Sequence, residues 1–204
     1  MGATAILLAA GQSTRMGCLK GMLPWHEKTL FEHQLIALEK STLSEIIVVL
    51  GYEAERFLKI VNNYSVKAVY NKNYHIGKVS SILTGLNAVG DVSESILILA
   101  VDQPTETEII NNLVEIQTNS NCPIAVPVYD GKRGHPVVFS RSIINDLLAI
   151  KEETKGLRTI FQKYEKKVIE APINNPLIRL NLNTIEDYQN AVKEHLSANL
   201  SFDQ

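Results

Sequence analysis

Leu7-Leu8-Ala9-Ala10-Gly11-Gln12-Ser13-Thr14-Arg15-Met16-Gly17-Cys18-Leu19-Lys20 is the stretch on which the reading of the whole chain turns. The apolar run over residues 4–9 reads as a buried strand. It ends in a loop that carries Gly11 and Gly17, with Ser13, Arg15 and Lys20 spaced through it. Glycines let a backbone turn tightly and approach an anion, so successive N–H groups can line a concavity for phosphate. Arg15 adds a planar fork of donors and Lys20 a compact charge, a pairing that suits a polyphosphate. The Gly-x-x-x-x-Gly-Lys-Ser/Thr order of a P-loop is absent, and Gly11 stands alone where a dinucleotide fingerprint needs Gly-x-Gly-x-x-Gly. The same residues also describe a glycine-containing turn with two solvated basic side chains.

Outward from this loop, short aliphatic runs alternate with amphipathic segments. Residues 45–50, 66–70, 95–101 and 123–128 read as further strands, and residues 30–39, 54–62, 80–88 and 107–118 as helices. Strands apolar throughout, separated by amphipathic helices, predict an α/β fold with a doubly wound, mostly parallel sheet between two helical layers. Right-handed crossovers then bring the C-terminal strand ends to one edge, where ligands bind in such sheets. The glycine loop and Asp102 therefore face each other although far apart in sequence. Beyond residue 128 the pattern is less regular: strands over 137–139, 168–171 and 177–182, and helices over 142–150, 156–164 and 184–196. Residues 197–204 read as a fraying polar tail. The chain is read as one domain over 1–204, with a nucleotide-binding part (1–128) and an acceptor-binding part closed by the last helix (129–204).

Composition narrows the function classes. At 204 residues, 45% hydrophobic, the chain can bury a substantial core. A net charge of −2 with no basic stripe argues against nucleic acid as a partner. No apolar run is long enough to span a bilayer and no secretory leader is visible, which leads to the expectation of a cytoplasmic protein without a membrane partner. Cys18 and Cys122 have no metal spacing between them and read as free thiols.

Four motifs in order carry a resemblance. Leu-Ala-Ala-Gly-x-Ser-x-Arg-Met-Gly-x-x-Lys over residues 8–20 resembles the signature of nucleotidyltransferases that consume a nucleoside triphosphate and release pyrophosphate. Leu23-Pro24-Trp25, Ala100-Val101-Asp102-Gln103-Pro104 and Arg133-Gly134-His135-Pro136-Val137 extend the match to the MobA-like group, nearest to molybdenum-cofactor cytidylyltransferases. The resemblance implies the Rossmann-like nucleotidyltransferase fold, with Arg15 and Lys20 as catalytic cations. It implies nucleotide contacts at Leu8, Ala9, Ala10, Gly11, Asn71, Gly77, Ser80, Ser81 and Gly85. Acceptor contacts would come from Gln103, Pro104, Arg133, Gly134, His135 and Arg158. The implied donor is CTP, favoured over GTP by the Ala10 methyl, which would crowd a purine. The implied acceptor is a phosphate-bearing pterin, molybdopterin or its molybdenum form, with a molybdenum hydroxylase as the downstream partner.

Asp102 ends an apolar run, where an ionised carboxylate is costly unless solvated or bound to a cation. A hard ion such as Mg2+ takes few protein oxygens and suits it; the alternative is an N-cap for the next helix. Asn183 stands where relatives often carry Asp, and is equally suited to ligate the metal or to cap the closing helix, with Asn181 in reserve. Ser80 reads either as a base contact or as an N-cap, and Val79 replaces a usual serine. His135 could contact the acceptor or move a proton, since imidazole titrates near neutrality. Thr154 stands where an aspartate is usual. That loss, with Asn183, motivates one rival, a non-catalytic accessory protein that binds the cofactor. The other, a transferase of the same fold acting on a sugar or alcohol phosphate, would need acceptor loops unlike residues 133–138, and the Gly-His-Pro match speaks against it.

Overall fold

The structure, a computed structural model, describes residues 2–200, without the side chains of Arg15 and of residues 195–200. Its strands are β1 (Gly2–Ala9), β2 (Pro24–Trp25), β3 (Lys28–Thr29), β4 (Glu45–Leu50), β5 (Lys67–Tyr70), β6 (Ser93–Ala100), β7 (Ile124–Tyr129), β8 (Lys132–Arg133), β9 (Val137–Ser140) and β10 (Val168–Pro172). Its α-helices are α1 (Leu30–Glu39), α2 (Ala54–Val61), α3 (Lys78–Leu86), α4 (Thr107–Ser120), α5 (Ile144–Leu148), α6 (Leu157–Lys163) and α7 (Ile185–Leu200).

One sheet runs in the order β10-β7-β9-β6-β1-β4-β5, with β8 paired to β7, while β2 and β3 form a separate hairpin. All neighbours on the main path are parallel except those of β9, which runs antiparallel to both β6 and β7. The predicted fold class is the observed one. β1 shows why its sequence makes a central strand. Ala5, Leu7 and Ala9 enter one core and Ile6 and Leu8 the other, so a continuous apolar run satisfies both faces. The first core packs α1, α2, α4 and α7 through residues such as Phe31, Phe57, Ile110 and Ala191. The second packs α3, α5 and α6 through Ile82, Leu147 and Ile160. Gly85, expected at the nucleotide, instead lets α3 sit directly on β1, because a Cβ there would collide with Ile6.

Three segments depart from the expected elements. Residues 177–182 are not a strand: Pro176–Arg179 forms a 3-10 turn, and 180–184 is irregular. Asn175 accepts a hydrogen bond from Leu177 N at 2.9 Å, starting the turn, and Pro176 has no N–H for a ladder. The helix expected over 142–150 divides into a 3-10 turn, Arg141–Ile143, and the short α5. Ser140 caps that turn, accepting from Ser142 N, and Ile143 leaves helical geometry at φ −109. The last helix continues past residue 196 to Leu200, so residues 197–200 are helical, and 201–204 lie outside the described residues.

Candidate active site

β4 and β5 extend the sheet to one side of β1 and β6 to the other, so the reversal of strand order falls between β1 and β6. Ligands bind outside the C-terminal strand ends at such a reversal. Leu8 and Ala100 are register partners at those ends, and Val101 N donates to Leu8 O at 3.0 Å. The loops that leave this point carry Gly11 through Lys20 on one side and Asp102 on the other.

Lys20 meets Asp102 there. Its ammonium donates to Asp102 Oδ2 at 2.7 Å and to Asn183 Oδ1 at 2.9 Å, and the lysine is only 8% exposed. Asn183 arrives from the far end of the chain because Leu182, fully buried, anchors the segment and donates its N–H to Asp102 O at 2.9 Å. Asp102 is not a cap: α4 begins at Thr107, after Glu106. Nor does Asn183 cap α7. Thr184 and Asp187 do so reciprocally, Thr184 N donating to Asp187 Oδ2 at 2.9 Å and Asp187 N to Thr184 Oγ1 at 3.1 Å. Hydrogen bonds from Thr184 hold the Asp187 carboxyl below its ordinary range.

Two hard oxygens thus converge on one cation, here the lysine ammonium. The described residues hold no group of three or more His, Cys, Asp or Glu fit for a metal. A pair of protein oxygens beside open space is still the donor set of Mg2+, which keeps waters and substrate phosphates as the rest of its shell. The residues fit that ion, with Lys20 as the resident cation.

A cavity of about 470 Å³ opens beside this cluster, lined by Leu8, Ala10, Gly11, Lys20, Ser81 and Asp102 among others. A Cβ on Gly11 would meet nothing within 4 Å, so no protein contact demands a glycine and the space above it is free for a ligand. Gly17 and Ser13 take left-handed conformations (φ 67 and 52) that bend the loop around a 3-10 turn, and Ser13 Oγ accepts from Lys20 N at 3.2 Å. The side chain of Arg15 lies outside what the structure describes. Ala9 points into the opposite core and does not line the cavity.

Asn71, buried, supports this cavity from behind. Its amide donates to Ser80 and Ser81 Oγ, each at 2.9 Å. Ser80 is not the N-cap of α3, a place held by Gly77; its hydroxyl lies 2.8 Å from Gly77 O inside the first turn. Val79 lines the second cavity and not the first. Tyr74, His75 and Lys78, which sequence reasoning missed, line the first. The signal was available for Tyr74 and His75, two ring side chains between Asn71 and Gly77.

A second cavity of about 540 Å³ adjoins the first, with Lys78 and Ala100 common to both walls. Gln103, His135 and Arg158 line it, as does Asn181, the reserve metal ligand, while Lys155 adds another cation. Pro104, Arg133 and Gly134 do not line it. Pro104 is buried, and Arg133 extends from β8 to pair with Glu170 at 2.7 Å. Gly134 packs on the backbone of Ile178, where a Cβ would collide. That contact, with His135 N donating to Ile178 O at 2.8 Å, sets the histidine ring at the cavity. Burial, followed by the charge of Lys78, lowers the His135 pKa to about 4, against a smaller opposing effect of Asp102. The imidazole is therefore neutral near pH 7, and the expectation of a group titrating near neutrality does not hold.

Comparison with known proteins agrees with the fold. A family model described as the MobA-like NTP transferase domain matches residues 5–168. The molybdenum cofactor cytidylyltransferase of Escherichia coli is 27% identical over 194 residues, 93% of this chain and 95% of that protein. The nicotine blue oxidoreductase of Paenarthrobacter nicotinovorans is 30% identical over 147 residues, 69% of this chain and 72% of that protein. Among solved structures, a nucleotidyl transferase from Methanothermobacter superposes with a TM-score of 0.82 at 21% identity, covering 97% of this chain and 99% of that one.

Proposed function

The chain belongs to the MobA-like NTP transferase family of nucleotidyltransferases, and from that premise we propose that it moves CMP from CTP onto the terminal phosphate of molybdopterin or its molybdenum form. One observation carries the reading most directly. Asp102 and Asn183 converge on Lys20 at the mouth of the glycine loop, beside the first of two cavities that share Lys78. The first cavity takes the triphosphate and the second the acceptor.

An acceptor phosphate oxygen attacks the α-phosphorus, the bond to the β-phosphate oxygen breaks, and pyrophosphate leaves. A phosphate monoester has its second pKa near 6 and is already ionised at pH 7, so no general base is required. This suits His135, a neutral contact in the acceptor wall. Alignment and charge compensation then supply most of the catalysis. Lys20 and Arg15 offset charge on the triphosphate, and Lys78 offsets charge at the seam. Asp102 and Asn183 would hold Mg2+, which supplies Lewis-acid stabilisation of the phosphoryl oxygens when bound. Lys155 and Arg158 give the second cavity the positive charge that a phosphorylated acceptor requires. CTP is assigned as donor on the family likeness and on the Ala10 methyl in the first cavity's wall.

Incubation with MgCl2, molybdopterin and CTP, GTP or ATP in turn, with pyrophosphate detection, tests this. Release with CTP above GTP is the expected result. A preference for GTP overturns the donor and leaves nucleotidyl transfer standing. No pyrophosphate with any triphosphate overturns transfer to molybdopterin, and repeating the assay with sugar and alcohol phosphates then tests transfer itself.

A further inference from the structure

Helix α3 has no acidic residue in its first turn, and Gly77 offers no side chain to cap it. Its first-turn N–H of Val79 is instead satisfied by Glu152, whose Oε2 accepts at 2.9 Å from a position 73 residues further along the chain. The fit is close. A Cβ on Gly77 would lie 2.5 Å from the Glu152 carboxyl carbon and would push the carboxylate aside, while φ +154 is a backbone conformation that favours glycine. A second contact joins the same two segments, since a Cβ on Gly156 would lie 2.8 Å from Val79 Cγ2. The 151–156 loop is fixed internally: Lys155 N donates to Glu152 O at 3.0 Å and Gly156 N to Lys151 O at 3.0 Å. It also forms part of the wall of the second cavity, while α3 supplies Lys78 and Ser81 to the first and Lys78, Val79 and Ile82 to the second.

We propose that Glu152 is a positioning residue that latches α3 to the 151–156 loop, so that nucleotide in the first cavity orders the wall of the second. An anionic carboxylate at the positive end of a helix is favourable. Here it also ties the helix that lines both cavities to a loop of the second alone, and any stabilisation of one is shared by the other, reciprocally. The inference rests on reading the two cavities as donor and acceptor sites, while the latch itself is a contact of the chain alone.

Hydrogen exchange read by mass spectrometry on the full chain tests it, comparing wild type, Glu152→Ala and Glu152→Gln with and without CTP and MgCl2. In the unliganded protein, Glu152→Ala should speed exchange in peptides spanning 77–83 and 151–157 by about fivefold, the equivalent of one ordinary hydrogen bond. Glu152→Gln keeps an acceptor oxygen for Val79 N but gives up the charge, so its exchange should fall between wild type and Glu152→Ala, a recovery that separates the latch from a general loss of stability. Nucleotide should slow exchange in both peptides of wild type, and in Glu152→Ala only in the first. Unchanged exchange in unliganded Glu152→Ala overturns the latch, as does nucleotide protection that never reaches 151–157 in wild type. No nucleotide protection anywhere in wild type instead overturns the reading of the first cavity, and the unliganded comparison then decides the latch alone.

Discussion

Lys20 holds the charge balance of the site, because the carboxylate of Asp102, with 19% of its side chain exposed, has this ammonium as its counter-ion at 2.7 Å. Removing it should do two things. Loss of one aimed donor in a water-poor site raises the barrier by about 2.7–4 kcal/mol, so Lys20→Ala should be nearly inactive in the pyrophosphate assay. It also strands Asp102, so the variant should melt below wild type in chelator and recover when MgCl2 is added. Normal turnover would remove the phosphate-grip reading. Asp102→Ala should bind CTP with the same weak affinity with or without MgCl2 by calorimetry; a persisting metal dependence would place the ion elsewhere. His135 makes a pH prediction of definite sign. Its folded pKa of about 4 lies below the ordinary imidazole value of 6.5. Between those values the unfolded chain binds the extra proton, so this histidine's contribution to stability falls as pH drops from 6.5 to 4 and is flat above. In His135→Asn the melting temperature should depend less on pH across that window, while the shape of the rate profile near neutrality should be unchanged from wild type.

The elements that carry the site are held by caps and close contacts as much as by the core. α7 begins two residues after Asn183, at Ile185, and its first turn is closed by the reciprocal bonds of Thr184 and Asp187. Thr184→Ala removes that hydroxyl, which typically costs about 1 kcal/mol. The expected outcome is a shift of that size in urea denaturation, together with a weaker MgCl2-dependent gain in CTP affinity, because Asn183 loses its fixed departure point. A stability loss with the metal gain intact would separate Asn183 from the site. Element boundaries show the same logic. α1 is legible because its capping box, Thr29 with Glu32, is local in sequence. The start of α3 at Lys78 rather than residue 80 is not, because the acceptor for Val79 N comes from 73 residues away.

At the scale of the molecule, the two parts read from the sequence share one sheet. β9, from the second, lies between β6 and β7 of the first, and β10 extends the far edge. Ligand binding in either cavity should therefore stabilise the whole. A single unfolding transition is expected, shifted upward by CTP with MgCl2 by about 2.7 kcal/mol at a hundredfold excess over the dissociation constant. Two transitions, with only one responding, would show that the parts unfold independently.

What the sequence determined by itself is local or periodic. Strands β1 and β4, helix α1, the parallel sheet and the glycine loop follow from apolar runs, helical spacing and turn residues that act within a few positions. The placement of Asp102 opposite the glycine loop was also legible, because handedness puts strand ends on one edge. Tertiary structure alone decided the rest. Lys20 reaches Asn183 across 163 residues because Leu182 is buried and bonded to the Asp102 loop. Arg133 and Gly134, in the same motif as His135, turn to a salt bridge and a backbone contact, leaving His135 and Val137 of that motif at the cavity. His135 is neutral because of burial and a lysine from another element, neither of which has a sequence signature. Chain pattern fixes which groups lie near an edge; packing from distant segments fixes where they point and what charge they carry.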